Sequence, residues 1–147
     1  MKPLLRDMLF ADLDKALAIE QRVHAHPWTR GNFMDALKSK YVCRVYEAQG
    51  KMLGYAVFMP AVDDMHLLNI SIDSEYQRRG LGAALLDEMM NVARSLHMQR
   101  VLLEVRPTNM AALGFYRQAG FSELAVRRGY YPAAKGREDA MVMEYRF

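Results

Sequence analysis

The chain has 147 residues, 52% of them hydrophobic and 25% charged, the balance of one folded globular domain spanning 1–147 and not of a disordered segment. Its 20 Lys and Arg against 17 Asp and Glu leave a net charge of +3, which permits anion binding but sets up no general field for nucleic acid. The lone Cys43 excludes an internal disulfide or a multi-cysteine metal cluster, and its isolation favours a reducing, cytoplasmic setting.

Charges at Arg6, Asp7, Asp12 and Asp14 interrupt the opening residues, and no later run is apolar enough for a membrane span, so neither export nor insertion is expected. LLRDML, residues 4–9, predicts a short strand. ADLDKALAIEQRV predicts a helix, since Leu13, Leu17 and the stretch Ala16 to Ile19 recur at helical spacing. Pro27 breaks the pattern in HAHPWTRGNF, after which Thr29 supplies the N-cap of a second helix running through Leu37. YVCRVYEA (41–48) and KMLGYAVFM (51–59), separated by Gln49 and Gly50, read as a β-hairpin.

In MHLLNISI, alternation puts Leu68, Ile70 and Ile72 on one face and Asn69 and Ser71 on the other, a strand with one apolar side. After DSEYQRRGLG, the residues Leu81, Leu85, Met89, Val92 and Leu96 repeat every three or four positions and predict an amphipathic helix. RVLLEVRP reads as a strand, NMAALGFYRQAG as a helix closed by Gly120, FSELAVRR as a strand and DAMVMEYRF as the last strand. The order predicts a mixed α/β fold on one continuous sheet. The 12 Met residues could line a greasy peptide groove, but many fall at core-compatible positions, where thioethers fill irregular space.

Gln77 to Gly82 lie where a strand gives way to the strongest helix. Backbone N–H groups and the positive helix end can converge there on a phosphate, with Arg78 and Arg79 adding charged donors. A plain turn with solvent-facing arginines needs the same residues, and neither the GxxxxGK[ST] nor the full GxGxxG fingerprint is present.

QRRGLG following LLNISI resembles the acetyl-CoA pyrophosphate loop of the GCN5-related N-acetyltransferase superfamily, and EVRPTNMAALGFYRQAGF continues the likeness over nearly the whole chain. IEQRVHAHPW, QRRGLG, EVRPTN and RRGYYPAAKGREDAMVM together resemble its bacterial ribosomal-protein-alanine N-acetyltransferase branch. That resemblance implies a central, mostly antiparallel twisted sheet flanked by helices, with acetyl-CoA as acyl donor and no metal. It also implies transfer to the N-terminal alanine of a small-subunit ribosomal protein. By the same resemblance, Ile70, Ser71 and Ile72 line the pantetheine arm, and Arg78, Arg79, Gly80, Leu81, Gly82 and Ala83 surround the pyrophosphate. Asn109 joins the cofactor site, Glu104 is the general base and Tyr116 the general acid. The YYPAAKGREDA region takes part in recognising the N-terminal segment of the acceptor.

These residue types suit acyl transfer. A free α-amine titrates near about 7.7–8.0, so a placed carboxylate has only one readily exchanged proton to remove. Glu104, between Leu103 and Val105, points away from an apolar face. Read without the resemblance, it is equally a surface carboxylate paired with Arg106 or another cation, Tyr116 is a core residue beside Phe115, and Asn109 is a helix N-cap. Trp28 reads as a peptide-side wall or as core, and Tyr130 and Tyr131 as the exit of an acceptor channel or as loop packing. Cys43 reads as packing, which favours direct transfer over an acetyl-enzyme. His24, His26 and His66 form no ligand set. Two other functions stay open: acetylation of another protein terminus, a lysine or a small amine, and RNA binding by Arg127, Arg128, Tyr130 and Tyr131. The mild charge favours no stable nucleic-acid binding.

Overall fold

A computed structural model describes residues 2–134 and 136–147, so Lys135 of the YYPAAKGREDA segment lies outside the described residues. The strands β1 (Leu4–Asp7), β2 (Val42–Ala48), β3 (Lys51–Ala61), β4 (Asp64–Ile72), β5 (Arg100–Val105), β6 (Ser122–Pro132) and β7 (Arg137–Arg146) form one seven-stranded sheet in the order β1-β2-β3-β4-β5-β7-β6. Every pairing is antiparallel except β4 with β5. A parallel pair needs a crossover, and helix α3 (Leu81–Ser95) supplies it. Among the described residues, no helix is long and apolar enough to cross a membrane.

Helices α1 (Leu13–Val23) and α2 (Arg30–Lys38) cover one face, where Leu13, Ile19, Phe33, Val45, Tyr55 and Val57 pack together. Helices α3 and α4 (Met110–Gln118) cover the other, with Leu85, Met89, Val101, Leu103, Phe121 and Met143 at its centre. The Thr29 side chain accepts a hydrogen bond from the Asn32 amide and starts α2 as the sequence predicts.

Two irregularities depart from the sequence reading. Leu68 does not share a face with Ile70 and Ile72. Pairing with β3 slips between Val57↔Asn69 and Phe58↔Leu67, so Leu68 is an extra residue that turns toward the α1–α2 cluster. Asn69 and Ser71 are consequently buried beneath α1, while Ile70 and Ile72 face α3. Strand β6 does not stop at Arg128 but runs to Pro132, with Arg128, Gly129 and Tyr130 bulging opposite Asp139 alone. Gly129 absorbs the left-handed backbone there, at φ +60°.

The parallel ladder is short. It ends at Leu67↔Leu103, although β4 continues to Ile72 and β5 to Val105. Beyond that point the two strands run on without a ladder, leaving their facing edges unpaired across a gap. Glu104 is the first residue of β5 past the last pair.

Candidate active site

The turn from β4 into α3 is tied down on both sides. Arg22 donates two hydrogen bonds to Asp73, of 3.0 and 2.8 Å, and that partner holds the Asp73 carboxyl below its usual range. Asp73 in turn accepts from the Ser74 amide at 2.8 Å, and Gln77 Nε2 donates to the Ile72 carbonyl at 2.9 Å. Arg78 (φ +64°) and Gly80 (φ +78°) both adopt left-handed backbone. For Arg78 that conformation costs roughly 1–2 kcal/mol, strain of the kind kept at binding sites.

Gly80 caps α3 without contributing a side-chain acceptor, so the first amides of the helix, at Leu81, Gly82 and Ala83, point outward without a side-chain partner. Nothing lies within 4 Å of where a Gly80 Cβ would stand. The exposed Arg78 and Arg79 flank these amides, and the Arg79 guanidinium lies 5.8 Å from the Tyr76 ring centroid. Uncapped amides, a helix dipole and two guanidiniums suit a pyrophosphate. At Gly82 the helix passes close to Phe115 of α4 and Ile72 of β4, 3.5 and 3.7 Å from an added Cβ. The loop, the end of β4 and α4 thus converge at the mouth of the gap. Ile70 and Ile72 face α3 along the open strand edge, whereas Ser71 turns its hydroxyl to the other face and offers the gap only its main chain.

Glu104 projects on the α1–α2 side, because its neighbours Leu103 and Val105 are buried in the α3-side core. Its side chain is 20% exposed, and Oε1 accepts from Arg127 Nη1 at 3.1 Å. The sequence suggested Arg106 as one partner, but Arg106 donates instead to Glu138 at 3.0 Å and to the Pro132 carbonyl at 2.8 Å. Its guanidinium sits 4.4 Å from the Tyr131 centroid. Tyr130 meets Tyr131 edge to face at 4.9 Å and carries the Arg127 guanidinium at 4.0 Å. Both tyrosines thus stack against arginines, and Arg127 is in turn paired with Glu104.

Tyr116 packs edge to face with Phe115 and Phe121, at 5.3 and 5.8 Å, on the α3 side of the sheet. Burial pushes its phenol up, with a smaller contribution from Tyr131. Tyr131 is itself pushed up to about 12, by burial first and then by the Glu104 charge. Tyr131 therefore lies within electrostatic reach of both Glu104 and Tyr116, with the carboxylate and the Tyr116 phenol on opposite faces. Asn109 caps α4 through a bond from the Ala112 amide at 3.2 Å, a bond that uses only its side-chain oxygen. The buried Cys43 thiol is pushed up to about 11 by burial, which suits packing. No group of three or more metal-ligating side chains occurs among the described residues.

One group went unnoticed in the sequence. Glu20, 2% exposed, accepts from the Tyr55 hydroxyl, from Asn69 Nδ2 at 2.8 Å and from the Trp28 amide at 2.9 Å. Ser71 donates to Asn69 at 2.9 Å, and His24 Nε2 lies 2.6 Å from the Ser71 hydroxyl. Trp28 packs its ring on Phe33 at 5.1 Å, in the core beneath α1 and α2. Its amide, through Glu20, ties the α1–α2 segment to β4 beside the gap. The signal was available: Glu20 continues the stripe Leu13, Ala16, Leu17 at helical spacing, where an apolar residue belongs.

Residues 7–121 match the model of the Acetyltransferase (GNAT) family. Over 132 residues the chain is 40% identical to the ribosomal protein bS18-alanine N-acetyltransferase of Escherichia coli (strain K12), covering 90% of this chain and 89% of that protein. It is 31% identical over 144 residues to the putative ribosomal protein bS18-alanine N-acetyltransferase of Bacillus subtilis (strain 168), covering 97% and 94%. The fold superposes on the crystal structure of the ribosomal-protein-S18-alanine N-acetyltransferase from Escherichia coli with a TM-score of 0.90 at 36% identity, covering 99% of this chain and 94% of that one.

Proposed function

The chain belongs to the acetyltransferase (GNAT) family, and from that premise we propose that Glu104 and Tyr116 drive transfer of acetyl to the N-terminal alanine of a small-subunit ribosomal protein. The enzyme is an acetyl-CoA-dependent N-acetyltransferase acting on a ribosomal protein N-terminus. Acetyl-CoA, when bound, supplies the acetyl group already activated as a thioester. The amides at the start of α3, with Arg78 and Arg79, hold the pyrophosphate, and the open edge of β4 from Leu68 to Ile72 directs the pantetheine arm into the gap. The Asn109 side-chain NH₂ adds a contact at the mouth.

Glu104 takes the proton of the acceptor ammonium, freeing the lone pair for attack on the thioester carbonyl. Burial keeps the Tyr116 phenol protonated through the neutral range, so it remains a donor to the departing sulfur. Trp28, Tyr130 and Tyr131 border the acceptor side, Trp28 chiefly through the backbone that Glu20 fixes. With the buried Cys43 thiol inert, transfer is direct.

The observation that carries this reading is the parting of β4 from β5 after Leu67 and Leu103, with Glu104 next in line. The test is an acceptor panel with purified protein and acetyl-CoA, read by intact mass and fragment mapping. An Ala-starting ribosomal peptide gains one acetyl at its α-amine, and Glu104→Gln and Tyr116→Phe each lower kcat by about 10²-fold or more. Transfer only to lysine, polyamines or other termini would reject the alanine acceptor while leaving the enzyme class intact.

A further inference from the structure

We propose that Arg127 is a positioning residue that aims the Glu104 carboxylate by occupying Oε1, leaving Oε2 as the proton acceptor; this rests on Glu104 being the base. A strand fixes only the Cβ of a glutamate, and three torsions remain between that atom and the oxygens. Misplacing a reacting group by about 1 Å costs on the order of 10²-fold in rate, so the carboxylate needs an anchor of its own. Among the described residues, Arg127 is the one side chain bonded to it, through Oε1 alone.

The anchor is built across an intervening strand. Glu104 pairs with Val142 of β7, and Arg127 of β6 pairs with Ala140 of the same strand. Val142 and Ala140 are two residues apart and face the same way, so both charged side chains stand on one face, with the small Ala140 beneath the bridge. Arg127 is braced in turn. In a regular strand residues 127 and 130 point to opposite faces, yet Tyr130 stacks on the Arg127 guanidinium at 4.0 Å. The three-against-one bulge makes that possible. It is fastened by the Gly129 amide donating to Asp139 at 2.9 Å and by Arg137 Nη2 donating to the Tyr130 carbonyl at 3.1 Å. The neighbouring cation Arg106 does not compete, because Glu138 and Tyr131 hold it. At 53% exposure the Arg127 pair adds little to stability, so its geometry is better explained by Glu104 than by the fold.

The test is a double-mutant cycle with an Ala-starting peptide, following kcat and both KM values in Arg127→Ala, Arg127→Lys, Glu104→Gln and the Arg127→Ala/Glu104→Gln double variant, with thermal midpoints as the folding control. Arg127→Ala lowers kcat about tenfold, on the scale of a misplaced catalytic group, with the acetyl-CoA KM unchanged within about twofold, since the pyrophosphate loop lies elsewhere. Arg127→Lys recovers part of the loss, because lysine reaches Oε1 without the planar stack. In the Glu104→Gln background, removing Arg127 produces no further loss. A kcat within twofold of the parent for Arg127→Ala overturns the proposal. So does an equal loss with and without Glu104, which would make the arginine part of the acceptor wall. Parental kcat in Glu104→Gln itself would remove the base and the positioning role together, a failure distinct from the other two.

Discussion

Replacing Glu20 by Gln perturbs the buried junction of α1, β3, β4 and the α1–α2 segment by one oxygen. In the parent, Oε1 accepts from the Tyr55 hydroxyl and Asn69 Nδ2, and Oε2 accepts from the Trp28 amide. A glutamine oriented to keep the first two bonds turns its NH₂ against the Trp28 N–H, and the reverse orientation, in which the NH₂ can donate to the Tyr55 oxygen, sets it against Asn69 Nδ2. At least one buried donor is left unpaired, at a cost of about 1–3 kcal/mol. With an unfolding entropy of about 2.1 cal/mol/K per residue, or about 0.3 kcal/mol/K for this chain, the thermal midpoint drops by roughly 3–10 °C. Because Trp28 is the chain's one tryptophan, its emission reports the lost tether directly. We expect a red shift and faster acrylamide quenching alongside calorimetric destabilisation, and a raised acceptor KM beside an unchanged acetyl-CoA KM. A Glu20→Gln protein within about 0.5 kcal/mol of the parent, the noise level for neutral substitutions, and with the same emission would refute the argument.

The two parts of Asn109 separate by substitution. Asn109→Ala loses the α4 cap, at about 1 kcal/mol and roughly 2–4 °C, whereas Asn109→Asp keeps an acceptor and the stability; a rise in acetyl-CoA KM in both variants, measured by steady-state kinetics, isolates the contribution of the NH₂. Arg6 holds Asp12, and Arg22 holds Asp73, below the usual carboxylate range. The stability these pairs supply is complete above about pH 3.9, the unfolded value, and is lost as pH falls through the depressed folded values. Midpoints scanned from pH 6 to pH 2 should therefore fall less steeply in Arg6→Ala than in the parent, and an identical slope would count against the assignment. Cys43, pushed up to about 11, should resist iodoacetamide at pH 8 until the protein unfolds, and Cys43→Ala should retain transfer; acetyl-Cys43 trapped during turnover would contradict direct transfer.

Much of this architecture was written locally. The period of α3, the Thr29 cap and the hairpin at Gln49 and Gly50 each depend on residues a few positions apart, so their sequence signals survive folding. The misreadings arose where distant strands decide the outcome. Nothing within MHLLNISI marks Leu68 as a bulge, because the slip exists only against β3. Arg106 lies two residues from Glu104 and was the nearest cation in sequence, but it stands just past the end of β5, where Glu138 of β7 and the Pro132 carbonyl of β6 hold it. Arg127 reaches Glu104 only because the last two strands exchange places in the sheet. Glu20 was legible as an acid on an apolar stripe, but its three donors come from three segments that a helical pattern cannot foresee.

That exchange of places also sets a schedule for the ribosome. Strand β7 lies between β5 and β6 although it follows both in the chain. While the protein is being synthesised, Glu104 and Arg127 are both made before the strand that supports them side by side. The pairing of β5 with β7 joins residues about 40 positions apart, the non-local kind of contact that is slow to form. Without Arg137 to Arg146 there is no strand to set Glu104 and Arg127 side by side, so their pairing waits on the closing of the sheet.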